Sequence, residues 1–226
     1  MYPLAFSTWD DQEPRAIQRV VDTDMYTMGS HVREFEQQFA AEFNSPHAVM
    51  VNSGSSANFL MLSLLRYRYK LTGDIIVPVV GWATTYFPVA QMGFRLNFVD
   101  VDPYTWNIDV AKIEQAITPR TSAIMAVNLL GNSCDYNTIR DICRKHNLQL
   151  IEDNCESMGA QYAGQYTGTM GVAGSFSFFF SHHIQTMEGG MVLCQNPDDR
   201  DYLRSLRAHG WVRDLPDNSP LYQKTG

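Results

Sequence analysis

His47-Ala48-Val49-Met50-Val51-Asn52-Ser53-Gly54-Ser55-Ser56-Ala57 is the stretch that decides the fold. A short apolar run reads as a strand, a polar glycine turn ends it, and a helix is expected over 57–71, apolar at Phe59, Leu60, Leu62 and Leu64. Strand, turn and helix in direct succession form the repeating unit of a parallel sheet. Outward from it the alternation persists. Strands are expected at 75–79, 96–99, 123–127 and 148–152, with helices between them at about 84–92, 110–116 and 136–146. Upstream, 12–23 reads as a helix capped by Asp10 or Asp11. Ser30 precedes a second helix whose Val32, Phe35, Phe39 and Phe43 fall on one face, expected to be core. Beyond Gly159, glycines at 164, 168, 171, 174, 189 and 190 punctuate short apolar runs, as in strands joined by tight turns. The chain therefore reads as α/β, a three-layer sandwich with a mostly parallel sheet. No repeat, low-complexity tract or linker marks a domain boundary within residues 1–226.

Composition limits what such a domain can do. With 226 residues, 45% hydrophobic and 18% charged, the chain can bury a large core. A formal net charge of −7, without any lysine and arginine run, argues against nucleic acid or an anionic membrane as partner. The start, Met1-Tyr2-Pro3-Leu4-Ala5-Phe6, lacks the basic residues of a secretory signal. The apolar stretch 75–90 is broken by Pro78, Gly81 and Pro88, so it reads as strand, loop and helix start, not a membrane span. Cys134, Cys143, Cys155 and Cys194 form no CxxC pair, which suits reduced thiols in a cytoplasmic protein and no bound metal.

Four segments could converge on a phosphorylated cofactor. Gly54-Ser55-Ser56-Ala57 places backbone N–H groups and a helix dipole where a phosphate binds, although the same sequence is also good capping. Ile151-Glu152-Asp153-Asn154 ends a strand in two carboxylates, at the edge where open α/β sheets bind ligands, although either could merely cap the next turn. Ser177 lies five residues before His182 and could add a hydroxyl to a phosphate cup. Val80-Gly81-Trp82 sets an aromatic just past a strand end, where it could cover a flat ring or simply pack in the core.

The motifs run through nearly the whole chain. Tyr2-Pro3-Leu4-Ala5, Ser7-Thr8-Trp9-Asp10-Asp11, Asn52-Ser53-Gly54-Ser55, Asn128-Leu129-Leu130-Gly131-Asn132 and Glu152-Asp153-Asn154-Cys155-Glu156-Ser157-Met158-Gly159-Ala160 are followed by three more. These are Ser181-His182-His183-Ile184, Met187-Glu188-Gly189-Gly190 and Arg207-Ala208-His209-Gly210-Trp211. In this set the chain resembles the sugar aminotransferase family of fold type I pyridoxal-phosphate enzymes. The resemblance implies the N-terminal segment and large cofactor-binding domain of such an enzyme, with the family's small C-terminal domain absent from the 226 residues. It also implies pyridoxal 5'-phosphate or pyridoxamine 5'-phosphate as cofactor and a homodimer. By position, Ser55, Ser56 and Ser177 would hold the phosphate, Trp82 would stack on the ring, Asp153 would pair with its nitrogen, and Glu156 would lie near its 3-hydroxyl side. His182 takes the place of the family's lysine, with adjacent His183 as the alternative.

That exchange sets the chemistry, because an imidazole is not a primary amine and cannot hold an aldehyde covalently. The chain has only Lys70, Lys112, Lys145 and Lys224, none between Asp153 and Gly210. The first three read as exposed residues on helices. The resemblance then implies removal of the C3 hydroxyl of a nucleotide-linked 4-keto-6-deoxy sugar, GDP-4-keto-6-deoxymannose first, with glutamate as amino donor and His182 as base. A related type that also carries histidine binds an iron–sulfur cluster on cysteines shortly after it, but here 210–218 has none. A nucleotide-sugar aminotransferase and a non-catalytic cofactor-binding subunit remain as alternative readings.

Overall fold

Side chains alternate along the strands, so the sheet has two apolar faces and needs helices on both. Ile75, Val77, Ala123, Met125 and Ile151 share one core cluster, while Ile76, Ile124, Ala126 and Leu150 belong to another. The computed structural model describes residues 2, 3 and 5–222; Met1, Leu4 and Lys224 of the sequence reading lie outside the described residues. In chain order the elements are α1 (Gln12–Val21), α2 (Ser30–Glu42), β1 (His47–Val51), α3 (Gly54–Tyr67), β2 (Asp74–Pro78), α4 (Ala83–Gln91), β3 (Arg95–Val99) and α5 (Val110–Ala116). They continue with β4 (Thr121–Val127), α6 (Tyr136–His146), β5 (Gln149–Asp153), β6 (Gln161–Tyr162), β7 (Gln165–Tyr166), β8 (Ala173–Ser177), β9 (Gly190–Cys194) and α7 (Pro197–Arg207).

The seven-stranded sheet has the order β1-β9-β8-β5-β4-β2-β3. Only β9 runs against its neighbours; the other pairings are parallel. On one face α3 contributes Leu60, Met61, Leu62, Leu64 and Leu65, joined by Leu203 of α7. On the other, α5 and α6 cover β2, β4 and β5, and the Phe39 and Phe43 rings of α2 pack on Phe176. Truncating one of the fully buried leucines of α3 to alanine is expected to cost about 2–5 kcal/mol.

The mostly parallel α/β sheet is as expected, and several details differ. α3 begins at Gly54 and not at Ala57, because the Ser53 side chain accepts from the Ser56 amide at 3.0 Å and caps the helix three residues earlier. It ends at Tyr67, which leaves Lys70 off the helix in a left-handed conformation (φ 58°). Phe59 is exposed, since it falls on the side of α3 away from the sheet, whereas Phe39 and Phe43 of the α2 face are buried and Val32 and Phe35 half-buried. Ser30 is the first helical residue of α2 and Gly29 holds the cap position. Asp11 holds the cap position of α1 without a side-chain hydrogen bond, and the Asp10 side chain before it accepts from the Gln12 amide at 2.7 Å. Neither the reversed direction of β9 nor α7 is foreshadowed in the sequence reading. The four cysteines are free.

Candidate active site at the strand ends

A cavity of about 500 Å³ opens beyond the carboxyl ends of the parallel strands. It is where the turn before α3, the start of α4, the end of β5 and the β8–β9 loop meet. Ser55, Trp82, Asp153, Glu156, Ser177 and His182 all line it. Ser56 and His183 are not among its lining residues. The Ser56 amide and hydroxyl both meet the Ser53 hydroxyl, at 3.0 and 3.1 Å, and His183 is exposed.

The turn before α3 is built for an anion. The amides of Gly54 and Ser55 lie ahead of the first intrahelical bond, which runs from the Ala57 amide to the Ser53 carbonyl. Close packing forces glycine here: a Cβ on Gly54 would come within 2.6 Å of the Ser177 Cβ, and one on Gly190 within 2.3 Å of the Ser53 carbonyl oxygen. The Ser177 hydroxyl is thereby held against the helix N-terminus, where it accepts from the Phe179 amide at 3.3 Å.

Strand alternation separates the two carboxylates that end β5. Glu152 points to the far face, wholly buried, and accepts from the amides of Gly168, Met170 and Gly171 at 2.6, 2.6 and 2.7 Å. Burial raises its pKa, and those amides oppose the rise. It staples a loop. Asp153 points into the cavity, with Oδ2 accepting from Thr85 Oγ1 at 2.7 Å and Asn58 Nδ2 at 2.9 Å, and Oδ1 from the Cys155 amide at 3.1 Å.

Glu156 Oε2 is buried without a hydrogen-bond partner. Burial raises its pKa; the Leu130 backbone amide opposes the rise and the Asp153 charge adds to it. His182 sits in a turn with its amide on the Phe179 carbonyl and its ring edge-on to Phe179. Burial lowers its pKa below the usual histidine value, the adjacent His183 lowers it further, and Asp153 acts in the opposite sense. Trp82, at the cap of α4, is 69% exposed and leaves a free ring face at the cavity wall.

No lysine lines this cavity among the described residues. Lys112 pairs with Asp100 and Asp109, Lys145 pairs with Glu114, and Lys70 is exposed. A pyridoxal-type group fits what is present: free amides and a hydroxyl for a phosphate, an exposed indole for a flat ring, an oriented carboxylate, and an orphaned carboxyl oxygen. Asn58 and Thr85 escaped the sequence reading. A buried asparagine inside an otherwise apolar helix is the signal that could have found the first.

Sheet order, crossover helices and a cavity at the strand ends define the large-domain architecture of fold type I pyridoxal-phosphate enzymes. The chain belongs to the DegT/DnrJ/EryC1/StrS aminotransferase family, whose sequence model matches residues 8–224. It is 50% identical over 220 residues to the GDP-4-keto-6-deoxy-D-mannose 3-dehydratase of Yersinia pseudotuberculosis, covering 96% of this chain and 56% of the relative. It is also similar to the solved E. coli GDP-4-keto-6-deoxy-D-mannose-3-dehydratase with bound hydrated PLP, with a TM-score of 0.90 at 50% identity, over 96% of this chain and 57% of that one. A GDP-4-keto-6-deoxymannose-3-dehydratase structure with a trapped PLP-glutamate geminal diamine matches with a TM-score of 0.91 at 49% identity, again over 96% and 57%. The chain thus spans a little over half the length of these relatives.

Proposed function

We propose that this chain forms the N-terminal segment and cofactor-holding domain of a pyridoxal/pyridoxamine phosphate-dependent 3-dehydratase. Its substrate is a nucleotide-linked 4-keto-6-deoxy sugar, GDP-4-keto-6-deoxymannose first, its amino donor is glutamate, and it works as a cytoplasmic homodimer. The observation that carries the reading is a cavity lined by Asp153 and His182 and by no lysine among the described residues. The names of the relatives, and the glutamate adduct trapped in one of them, point to the same substrates. Exposed Leu130, Phe180, Ile184 and Met187, sequence neighbours of lining residues, supply apolar surface for a second subunit.

When bound, the cofactor supplies an electron sink joined to a reactive amine. The residues supply the rest. The Gly54 and Ser55 amides with the Ser177 hydroxyl would hold the phosphate, Trp82 would cover a ring face, and Glu156 would lie near the 3-hydroxyl side. Asp153 holds the proton on the ring nitrogen, and its hydrogen bonds fix the carboxylate for that contact. Neutral His182 accepts a proton on an imidazole nitrogen and returns it to the sugar's C3 oxygen as that oxygen leaves. A lysine would offer its amine to the cofactor; an imidazole leaves elimination as the open course.

The test supplies the sugar, pyridoxal phosphate and glutamate. Expected products are 2-oxoglutarate, ammonia and a sugar lacking the C3 hydroxyl. His182→Asn should abolish turnover while retaining cofactor, because an amide has no usable base near neutrality. An amino sugar as main product would transfer the protein to the aminotransferase reading.

A further inference from the structure

Asn58 lies one helical turn beyond the phosphate-facing end of α3 and is 1% exposed among leucines and methionine. Both polar atoms of its amide are engaged. Nδ2 donates to Asp153 Oδ2 at 2.9 Å and to the Thr84 carbonyl at 3.2 Å, while Oδ1 accepts from the Ser175 hydroxyl at 2.7 Å. Only one orientation of the amide satisfies this set, because a carboxylate and a carbonyl can only accept, so the NH2 must face both. Asn58 therefore joins α3, the first turn of α4, the end of β5 and the middle of β8 at one point. Thr85, also 1% exposed, gives its hydroxyl to the same Asp153 oxygen at 2.7 Å.

A carboxylate meant to face a ring nitrogen must be prevented from turning back into the protein. Two donors on Oδ2 and one amide on Oδ1 do so, and the donors come from helices that themselves border the cavity. We infer that Asn58 and Thr85 are positioning residues that fix the Asp153 carboxylate for the cofactor's ring nitrogen and tie its aim to the phosphate-binding turn. This rests on the cofactor reading above. It extends that reading to residues that touch no reacting atom and act through Asp153.

Thr85→Val carries the test, since valine keeps the shape and removes only the hydroxyl. Asn58→Leu also takes from the buried Ser175 hydroxyl its shortest acceptor, leaving only those at 3.4 and 3.5 Å, and is expected to lower folding stability as well. Pyridoxal 5'-phosphate is titrated into the parent, Thr85→Val, Thr85→Ser and Asp153→Asn proteins, following absorbance and tryptophan fluorescence, and the spectrum of the bound form is recorded against pH. Loss of one hydrogen bond to a charged group should weaken binding by about tenfold. The pH at which the bound cofactor loses its ring-nitrogen proton should fall, and Thr85→Ser should restore both quantities. A Thr85→Val protein that matches the parent in either quantity, or a Thr85→Ser protein as impaired as Thr85→Val, overturns the inference. If Asp153→Asn is impaired while Thr85→Val is not, only this inference fails. If Asp153→Asn also binds as the parent does, or the parent does not bind, the cofactor reading fails with it.

Discussion

His182 works as a base only while its imidazole is neutral, and its surroundings favour that state. Burial comes first, the adjacent His183 second, and together they lower its pKa against the opposing pull of Asp153. A lowered pKa lets the base form persist to lower pH, so the acid limb of turnover is expected below the ordinary histidine value of about 6.5. His183→Asn removes a repulsion from the imidazolium of His182 and should move that limb to higher pH. A pH–rate profile of both proteins checks this; a limb that stays put, or moves down, would assign the titration to another group. Much of the candidate site was legible at this scale: Ser55, Trp82, Asp153, Ser177 and His182 belong to the segments expected to converge, Glu156 is implied by the family resemblance, and all six line one cavity. Asn58 and Thr85 were not, because their bonds to Asp153 span 95 and 68 residues and neither periodicity nor local spacing reports such a contact. Ser56 falls outside the cavity lining for a local reason: once Ser53 caps the helix, the Ser56 amide is already occupied.

Among the elements, α7 shows where hydrophobic patterning stops being informative. Its buried positions are Asp199, Asp201, Leu203 and Ser205, mostly polar, so no apolar stripe announces it. The start signal was nonetheless there, with Asn196 accepting from the Asp198 amide at 2.9 Å and Pro197 opening the helix. Charge does part of the docking. Glu36 of α2, 3% exposed, accepts from Arg204 at 3.1 Å, Arg207 at 2.6 Å and the Met50 amide at 3.0 Å, and Arg207 also donates to the Met50 carbonyl at 2.7 Å. α2, β1 and α7 thus meet on one carboxylate. Glu36→Ala leaves two largely buried guanidinium groups without a counter-charge and should cost about 3–5 kcal/mol in urea unfolding. Replacing Glu36, Arg204 and Arg207 together by leucine or methionine should recover much of that loss, since an apolar set has no charge left to desolvate. A loss below about 1 kcal/mol for Glu36→Ala would place the cluster with ordinary surface pairs. β1 to β5 match the expected strands to within a residue or two, most plainly β2 and β4, which are near-continuous apolar runs, whereas β8, Ala173–Ser177, is mostly glycine and serine and has no expected bounds. The direction of β9 is set by pairing with β1 and β8, and a lone strand does not encode that.

At the scale of the molecule, the cavity is assembled from segments that begin at Ser53 and end at Glu188, so it exists only when α3, α4, β5 and the β8–β9 loop are all in place. A cofactor that binds there binds the folded chain and not the unfolded one, and it must raise folding stability by mass action. At a free concentration of 100 times its dissociation constant the gain is about 2.7 kcal/mol. For a domain of this size that corresponds to a rise in Tm of roughly 5–10 °C. With no lysine lining the cavity among the described residues, the association should be non-covalent. The gain should therefore grow with the logarithm of pyridoxal phosphate concentration, disappear on dialysis, and leave no cofactor attached to the chain after borohydride reduction. Thermal unfolding at several cofactor concentrations, before and after dialysis, separates the possibilities. A flat Tm at saturating cofactor would remove the cavity as its site. A gain that survives dialysis, with a reduced adduct on a lysine, would mean that a residue other than His182 takes the covalent role. His182→Lys supplies the positive control, because it puts a primary amine at the cavity wall and should convert the reversible stabilisation into one that persists.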